Sequence, residues 1–533
     1  MSSKLKYIPF LAGLVSIVFG TLGFHKLFPE NTMQTSIYQA AQLFTISSGA
    51  VQGPMPWTLE LARWLAPFAT LGAILISAQT LFDVIKCRIT SCFYHNHAIV
   101  CGAGDRGLAI AKRLRQQGQK VIVIDSNHTN PNLSALRSLG IPVFVGNGLD
   151  EEVFRSAELN RAKYLIATCG SDEINLRIAG NLNGKTRAEI IVAVEEPGLR
   201  ILFRDQIGAG KDRQSIRMIG FQFRAAKRLF YNLALNLCSR PGLSSRGLHV
   251  FLEINDDLIE DFFRAATLVL QISGQIKPSF TLLSKNEHAK ERFLLRYPEN
   301  HLVADLNWVS SCPSRDTRPQ HFKCFDAAIF CCHADMKTLE RAETFRALDL
   351  CRSEKIYACL QKPANAHFAD TTDFVQKSLF QVIDLVDFSL GGNDPLDGHL
   401  ENEAIRLHRN YVQNERLKDP SWDRLPADWR FLDEGYRESN RLQAANLELN
   451  RLSWKLCPEE ERDALLERLT RAEHMRWMAD KVMHGWRWSG TIDPASRNDE
   501  KRVHHLLVPF DSLSEAEKSK DLSPLKKVLS SVV

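Results

Sequence analysis

Two long stretches without a charged residue lie near the start of the chain, at residues 7–24 and 64–82. Each approaches the roughly 20 apolar residues that are needed to cross the hydrocarbon core of a bilayer. The pattern predicts two transmembrane helices, at about 7–28 and 62–84, in a membrane domain that covers residues 1–90. A cleaved signal peptide is the alternative for the first stretch, and a buried core helix is the alternative for the second.

Lysine and arginine residues flank the two stretches. Lys4 and Lys6 precede the first stretch, and Lys86 and Arg88 follow the second, whereas the segment between the stretches is poor in these residues. Since positively charged flanks stay in the cytoplasm, both chain ends and the bulk of the chain are expected there. The pattern therefore predicts a multi-pass protein of the cell membrane.

After residue 96 the pattern changes to short apolar runs that alternate with helical periods. Residues 97–101 form the first run, and the turn Gly102-Ala103-Gly104-Asp105-Arg106-Gly107 follows it. A helical stretch then leads to a second run at 121–124, which ends in Asp125, 18 residues after Gly107. A strand, a glycine turn, a helix, a strand and an acid in this order predict a Rossmann nucleotide-binding fold.

The glycines and the acid have separate physical roles in such a fold. Gly102 permits the tight turn, Gly104 lets a phosphate approach the backbone, and Gly107 lets the helix pack closely on the strand. The helix N-terminus offers unpaired N–H groups to a phosphate. Asp125 can accept hydrogen bonds from ribose hydroxyls. A Rossmann fold whose site has only a structural role is the alternative.

Further apolar runs extend the α/β pattern. The runs at 142–145, 164–168 and 189–194 continue the first domain. The segment Glu253-Ile254-Asn255-Asp256-Asp257 ends the first strand of a second α/β unit, which therefore lacks a glycine cradle for phosphate. The fold class is thus α/β, with Rossmann-like cytosolic domains behind two transmembrane helices. The second unit is expected at 247–395, with strands at 248–254, 279–283, 327–332, 355–360 and 381–386.

The end of the chain is rich in charge and in tryptophan. Residues 396–455 are expected to form a helical connector whose ion pairs make a solvated face. Residues 456–533 are expected to form a small, mainly helical domain. It carries Glu473-His474-Met475-Arg476-Trp477 on one helix and Gly485-Trp486-Arg487-Trp488 behind it. Tryptophan rings beside cations would suit a nucleotide-like ligand, and a helical core that needs these rings is the alternative.

Residues 95–240 resemble the RCK or TrkA-N domain, the cytosolic ligand-sensing module of potassium channels and transporters. The resemblance implies that the domain binds NAD(H), an adenine nucleotide or an ion, that it oligomerises and that it acts on a pore. Family members carry an acid after the third strand, where this chain has Asn147. The positions expected to contact the ligand are Gly102, Gly104, Asp105, Arg106, Gly107, Asp125, Asn147, Thr168 and Asp172.

Between the two spans, residues 36–54 resemble the pore loop of two-span potassium channels. Residues 36–44 have the pattern of a short amphipathic helix, and Thr45, Ile46 and Gly49 match the filter sequence Thr-Val-Gly-Tyr-Gly-Asp. Ser47, Ser48 and Ala50 depart from that sequence, which leaves the ion selectivity open. An ordinary extracytoplasmic hairpin is the alternative. The candidate pore residues are Thr45, Ile46, Ser47, Ser48 and Gly49.

Residues 461–525 resemble the ryanodine-receptor repeat (RyR) domain, which also occurs in prokaryotic proteins. The resemblance rests on the helix with His474 and Trp477, the Gly-Trp turn, the Leu-Val-Pro-Phe-Asp segment and the final helix. It implies that the domain senses a nucleotide-derived signal, as suspected for relatives in phage defence. The ligand candidates are His474, Arg476, Trp477, Trp486, Trp488, Phe510 and Asp511.

Composition and motifs narrow the function classes. The net charge of +5 is small for 533 residues and gives no case for a nucleic-acid partner. The 12 cysteines form no Cys-x-x-Cys pair, which argues against zinc ribbons and against a secreted disulfide framework. The sequence contains no zincin, nucleophile-elbow or P-loop motif, so we expect neither a metal site nor an enzyme.

Together these patterns predict a ligand-gated, potassium-channel-like pore, built as a homotetramer in contact with membrane lipid. A small nucleotide-type ligand, NAD(H) or an adenine nucleotide, would control it. One alternative is a membrane-anchored nucleotide sensor without a selective pore, for example an effector in phage defence. The other alternative is a membrane-bound oxidoreductase that depends on NAD(P).

Overall fold

The computed structural model divides the chain into two compact units, Met1–Phe93 and Tyr94–Val533. The described part of the first unit is helical, and the second unit is built around two parallel sheets. The structure describes residues 7–45, 51, 53–204, 216–238, 247–272, 274, 276–311, 325–351, 355–363, 365, 380–390, 400–423 and 425–529.

The described residues of the first unit form the helices α1 (Ile8–Leu27), α2 (Met33–Gln42) and α3 (Trp57–Cys92). The short helix α2 begins earlier than the sequence predicts because the Thr32 hydroxyl caps it by accepting a hydrogen bond from the Thr35 N–H. Helix α3 extends beyond the predicted 62–84. By length and composition, Ile8–Leu27 and Trp57–Ile76 could each cross a membrane.

Small residues let the three helices of the first unit pack at close range. A Cβ atom on Gly23 would lie 2.8 Å from the backbone nitrogen of Leu59, so α1 and α3 touch backbone to backbone. The Ser16 hydroxyl donates a hydrogen bond to the Ala62 carbonyl oxygen at 2.9 Å. Ala40 on α2 is fully buried. Helix α2 therefore packs on α1, and the turn that follows it, Leu43–Thr45, contacts α3.

The outer faces of α1 and α3 carry large apolar side chains. Phe10 is 85% exposed, Phe68 is 73% exposed and Trp64 is 71% exposed. Contiguous apolar surface of this kind is typical of a face that contacts lipid or another protein.

The first sheet of the second unit is parallel and has the strand order β3-β2-β1-β4-β5-β6. The sequence pattern missed β6, a short edge strand. The apolar residues of β1, β2 and β4 are buried between helices on both faces. The strands are β1 (His97–Cys101), β2 (Val121–Asp125), β3 (Val143–Val145), β4 (Ala162–Ala167), β5 (Glu189–Ala193) and β6 (Ile216–Ile219). The helices are α4 (Asp105–Gln116), α5 (Asn132–Ser138), α6 (Glu151–Ser156), α7 (Asp172–Leu182) and α8 (Pro197–Arg204).

Helix α9 (Phe221–Cys238) leads to a second parallel sheet with the order β12-β11-β10-β7-β8-β9. Counted from its own first strand, this order repeats that of the first sheet, so the predicted α/β fold class with two Rossmann-like lobes is confirmed. The strands are β7 (His249–Ile254), β8 (Ser279–Leu283), β9 (Asp305–Val309), β10 (Ala327–Cys331), β11 (Ile356–Leu360) and β12 (Gln381–Asp384). The helices are α10 (Ile259–Val269), α11 (Glu287–Arg296), α12 (Asp335–Ala347) and α13 (Leu385–Ser389).

The last part of the chain is helical and shares a core with the second lobe. Buried Met478, Val482 and Leu507 belong to the same apolar cluster as Phe262 and Phe263 on α10. Its elements are α14 (Glu401–Lys418), α15 (Glu434–Leu456), α16 (Arg462–Val482), β13 (Arg487–Trp488), β14 (Val503–His504) and α17 (Glu515–Leu529).

The prediction that the ion pairs of residues 396–455 form a solvated face is wrong in one respect. Glu401 accepts hydrogen bonds from the Nε of Arg441 at 2.6 Å and from the indole nitrogen of Trp429 at 2.8 Å, and all three side chains are largely buried. Glu438 likewise pairs with Lys227 of α9. These charges face partners on other helices because α15 packs against α9 and α14 instead of water.

The close contact at Gly23 yields a stability prediction. Gly23→Ala should lower the free energy of unfolding of the first unit by about 1–3 kcal/mol, because the added Cβ would overlap the Leu59 backbone. The matched control is Gly13→Ala, whose Cβ would meet only side-chain atoms at 3.6 Å or more. Thermal unfolding of the detergent-purified chain measures both, and equal midpoints for the two variants would contradict the prediction.

Candidate functional site

The glycine turn joins β1 to α4 at the carboxyl edge of the first sheet. Gly102 has a φ of +97°, and a Cβ there would lie 2.7 Å from the carbonyl oxygen of Thr168. A Cβ on Gly107 would collide with the carbonyl oxygen of Gly102. A Cβ on Gly104, in contrast, would meet no heavy atom within 4 Å in the described part of the chain. Neighbouring backbone atoms thus leave no room for a side chain at Gly102 or Gly107, whereas the space beside Gly104 is open.

Asp125 at the end of β2 is bound to this turn. Its Oδ2 accepts a hydrogen bond from the Ala103 N–H at 2.6 Å, and its Oδ1 accepts one from the Asn127 N–H at 2.8 Å. The side-chain amides of Asn130 and Asn132 donate to the Ala103 carbonyl oxygen at 3.1 and 2.9 Å. These asparagines were not predicted from the sequence, although three asparagines lie within the seven residues that follow Asp125.

Thr168 lies directly behind the turn, after β4. Its side chain is 5% exposed, and its Oγ1 has no hydrogen-bond partner among the residues that the structure describes. Its methyl carbon would lie 3.4 Å from a Cβ on Gly107. An unpaired buried hydroxyl, the N–H groups that begin α4 and the open side of Gly104 together suit an anionic group such as a phosphate.

Three other predicted ligand positions have roles within the fold. The Asp172 carboxylate accepts hydrogen bonds from the N–H groups of Glu195 and Glu196, at 2.8–3.0 Å, and thereby holds the end of β5. Asn147 is exposed after β3, and its Oδ1 accepts from the Leu149 N–H at 3.0 Å. Asp105 lies 3.4 Å from the Asn132 amide nitrogen. The residues that the structure brings together at the turn are Gly102, Gly104, Gly107, Asp125 and Thr168.

Cys169 lies beside this site, and its thiol is in the neutral form. Burial, with a smaller contribution from Asp125, raises the pKa of Cys169 to about 11. Burial also raises the pKa of Cys101 well above its ordinary value. Because the thiolate is the nucleophile, these cysteines are not poised for covalent chemistry at neutral pH.

The second lobe fills the corresponding edge with an acid. The Asp256 carboxylate accepts hydrogen bonds from the Ser284 hydroxyl at 3.1 Å and from the Asn286 amide at 2.9 Å. Asp335 repeats the role of Asp172 by accepting from the N–H groups of Gln361 and Lys362. A carboxylate where the first lobe has glycines repels a phosphate, so the two lobes share a loop structure and differ in the site.

The helix before the expected filter ends in a short turn, Leu43–Thr45. The Thr45 hydroxyl donates to the Gln42 carbonyl oxygen at 2.8 Å, and the Thr70 hydroxyl of α3 donates to the Phe44 carbonyl oxygen at 3.2 Å. The other candidate pore residues, Ile46, Ser47, Ser48 and Gly49, lie outside the described residues.

Two of the candidates in the C-terminal domain are interior residues. The Nε2 of His474 lies 2.9 Å from the Val508 carbonyl oxygen, and its ring stacks on Trp477. The guanidinium of Arg476 donates to Glu473 at 2.8 and 3.0 Å, and that acid also accepts from the Asn446 amide. The sequence cannot separate such buried pairs from a ligand site because both need the same polar residues.

The rings of Trp477 and Trp486 lie beside that of His504. Its ring centroid lies 5.0 Å from that of Trp477 and 5.8 Å from that of Trp486, and the Lys481 Nζ lies 4.8 Å from the Trp486 ring. Burial, together with nearby Arg497 and Lys481, lowers the pKa of His504 to about 3. The ring is therefore neutral. Trp488 is 44% exposed, Phe510 contacts Arg471, and Asp511 forms an ion pair with Arg471.

Substitutions can distinguish the roles of Gly104 and Gly107 in the turn. Gly107→Ala should destabilise the second unit by about 1–3 kcal/mol or more, because its Cβ would overlap a backbone carbonyl. Gly104→Ala should leave the thermal midpoint unchanged because its Cβ would enter open space. Differential scanning fluorimetry of both variants decides this, and a stable Gly107→Ala protein would refute the close contact.

Two family models match the chain. One is described as the TrkA-N domain and matches residues 98–212, and the other is described as the RyR domain and matches residues 455–533. A protein of Methanothermus fervidus is 32% identical over 127 residues, which cover 22% of this chain and 20% of that protein. Potassium channel protein 1 of Methanocaldococcus jannaschii is 28% identical over 122 residues, which cover 22% and 35%.

A Trk system potassium uptake protein TrkA homolog of Pyrococcus abyssi is 27% identical over 112 residues, which cover 20% of this chain and 48% of that protein. The chain thus spans a fifth to about half of the length of these relatives. Among solved structures, the GsuK channel bound to NAD covers 71% of this chain and 80% of its own, with a TM-score of 0.36 and 12% identity. The resemblance expected from the sequence is confirmed, and the chain carries a TrkA-N domain followed, near its C-terminus, by a RyR domain.

Proposed function

We propose that this chain is one subunit of a ligand-gated, potassium-channel-like pore that is controlled by a nucleotide. In this proposal residues 1–90 form the membrane domain, and residues 95–240 form the nucleotide-binding domain. The second lobe at 247–395, the connector at 396–455 and the RyR domain at 456–533 complete the cytosolic body. The names of two relatives, a potassium channel and a potassium uptake protein, support potassium as the ion.

The observation that carries the proposal is the position of α2 in the first unit. A hairpin of two spans needs no third helix, yet α2 packs on α1 with Ala40 fully buried, and the turn that follows α2 is bonded to α3 through Phe44 and Thr70. The C-terminal end of α2 has a partial negative charge and leads into residues 46–50, an arrangement that favours a cation at that point. One copy cannot enclose a pore, so four copies are proposed by analogy with potassium channels.

The surface of the first unit supports a membrane location. Apolar side chains face outward along α1 and α3, and exposed Trp57 lies at the start of α3, where an interfacial aromatic is expected. Lys4, Lys6, Lys86 and Arg88 favour cytoplasmic ends. In the proposed topology the second unit is therefore cytoplasmic.

The geometry of the glycine turn supports NAD(H) or an adenine nucleotide as the ligand. The phosphates would lie at Gly104, the N-terminus of α4 and the Thr168 hydroxyl, and Asp125 would accept hydrogen bonds from the ribose. Only residues 93–96 separate α3 from β1, so a change at the turn has a short covalent path to the pore. A ligand gates the pore to the extent that it binds one state more tightly than the other.

The RyR domain is proposed as a second sensor of a nucleotide-type ligand. Trp477, Trp486 and Lys481 supply rings and a cation, and the domain shares a core with the second lobe. A change in this domain would therefore reach the second lobe through packed side chains. His474 and Arg476 would support the domain from inside.

Electrical recording tests the proposed function directly. The purified chain in planar bilayers should carry a potassium current whose open probability changes on addition of NAD, NADH or ADP. Gly104→Ala is the control, because it should keep the pore and weaken the nucleotide response. An ordered oligomer that conducts no ion with any of these nucleotides would contradict the channel and favour an effector without a pore.

The ribose contact gives a binding prediction. Asp125→Asn should weaken ADP and NAD binding roughly tenfold or more, because a charged acceptor of hydrogen bonds is lost from a buried position. Asp150→Asn, at an exposed acid in the same domain, should bind as the unchanged chain does. Isothermal titration calorimetry measures both affinities, and an unchanged affinity for Asp125→Asn would place the ribose elsewhere.

A further inference from the structure

The side chain of Arg106 lies beside the glycine turn but is paired with an acid. Arg106 is the second residue of α4, between Gly104 and Gly107. Its Nη1 lies 2.8 Å from the Oε1 of Glu195, which follows β5, and the two side chains are 26% and 21% exposed. The N-terminus of α4 would receive the phosphates of a nucleotide. The guanidinium of Arg106 at that N-terminus is instead paired with the Glu195 carboxylate.

Glu195 at the same time caps the helix that leads to the second lobe. Its Oε1 accepts a hydrogen bond from the Phe221 N–H, and its Oε2 accepts one from the Gln222 N–H, both at 3.2 Å. These groups begin α9, where a negative charge stabilises the helix. The Arg106 guanidinium lies 5.1 Å from the centre of the Phe221 ring. Arg106 thus contacts both the capping acid and the capped residue.

The backbone at Glu195 is also tied to the second lobe. The Nη1 of Arg200 donates to the carbonyl oxygens of Val194 and Glu195, at 2.8 and 2.6 Å. Its Nη2 pairs with buried Asp261 on α10. A change in the interactions of Glu195 would therefore act on the first turn of α9 and on the contact with α10.

The second lobe provides an internal comparison. Gln361 occupies the position of Glu195, since its N–H donates to Asp335 as that of Glu195 donates to Asp172. The corresponding turn continues as Asp256-Asp257-Leu258-Ile259-Glu260 and contains no cation. The fold forms without the ion pair in this lobe, so the Arg106–Glu195 pair belongs to the lobe that has the phosphate cradle.

We propose that Arg106 is a phosphate-binding residue that exchanges between Glu195 and the phosphates of a bound nucleotide, and that this exchange alters the capping of α9. The inference rests on the proposed binding of a nucleotide at the glycine turn. Arginine binds phosphate through two parallel hydrogen bonds, and a phosphate chain carries more negative charge than one carboxylate. Arg106 should therefore leave Glu195 for the phosphates when a nucleotide binds. The ion pair with Glu195 competes with this step and lowers the affinity for the nucleotide.

Calorimetric titration of the full-length chain in detergent with ADP, AMP and adenosine tests the exchange. Glu195→Gln should tighten ADP binding by roughly two- to fivefold, the range by which a partly exposed ion pair shifts an equilibrium. Arg106→Gln should weaken ADP binding roughly tenfold and leave adenosine binding nearly unchanged. Arg106→Lys should recover part of the affinity because it keeps the charge.

Two matched controls accompany these variants. Arg115→Gln removes an exposed cation from the other end of α4, and Glu196→Gln removes the neighbouring acid, which pairs with Arg296. Both should bind ADP as the unchanged chain does. Hydrogen exchange at residues 221–224 should change on addition of ADP in the unchanged chain and stay constant in Arg106→Gln.

The outcomes separate this inference from the proposed function. If the unchanged chain binds none of the three probes, nucleotide binding itself fails and the inference fails with it. If the unchanged chain binds ADP but Glu195→Gln binds it equally or more weakly at an unchanged thermal midpoint, the exchange is wrong while nucleotide binding stands. Equal losses of ADP and adenosine binding in Arg106→Gln would show a structural role and overturn the inference as well.

Discussion

The loops at the carboxyl edges of both sheets depend on one interaction, a carboxylate that accepts hydrogen bonds from backbone N–H groups. Asp125 holds the glycine turn through the Ala103 N–H, and Asp172 holds the end of β5. Glu195 holds the start of α9, and Asp335 repeats the role of Asp172 in the second lobe. Such charge-assisted bonds satisfy donors that parallel strands and helix N-termini leave without partners. These bonds hold the loops in the positions that the structure shows.

The two lobes have the same architecture and differ at the carboxyl edge of the sheet. Strand order is the same in both lobes, and in both the first acid of the helix after the fourth strand accepts a hydrogen bond from the end of the next strand. The difference lies in the turn after the first strand, where Gly104 leaves open space in one lobe and Asp256 places a carboxylate in the other. In the second lobe α10 is covered by α9 and by the RyR domain. This edge of the second sheet therefore contributes to packing.

Several features could be predicted from the sequence because they depend on neighbouring residues. The spans, the glycine turn with Asp125, and most strands follow from apolar periodicity and from the conformational freedom of glycine. Strands β6 and β9 were not predicted because neither shows a clear apolar run: β6 has only four residues and includes Arg217, and β9 begins with Asp305 and has no fully buried residue. The prediction that the ion pairs of residues 396–455 form a solvated face was wrong for a different reason. The burial of Glu401 depends on Arg441, which is 40 residues away in the sequence.

The sequence by itself determined the fold class, the two apolar helices and the residues of the glycine turn. Only the tertiary structure decided which charged residues pair with each other. Arg106 and Glu195 are separated by 89 positions, and no local pattern indicates that their side chains meet. His474 and Arg476 have the chemistry of a ligand site and lie inside the RyR domain. Hydrophobic periodicity is a local property, whereas the pairing of charges depends on distances that exist only after the chain has folded.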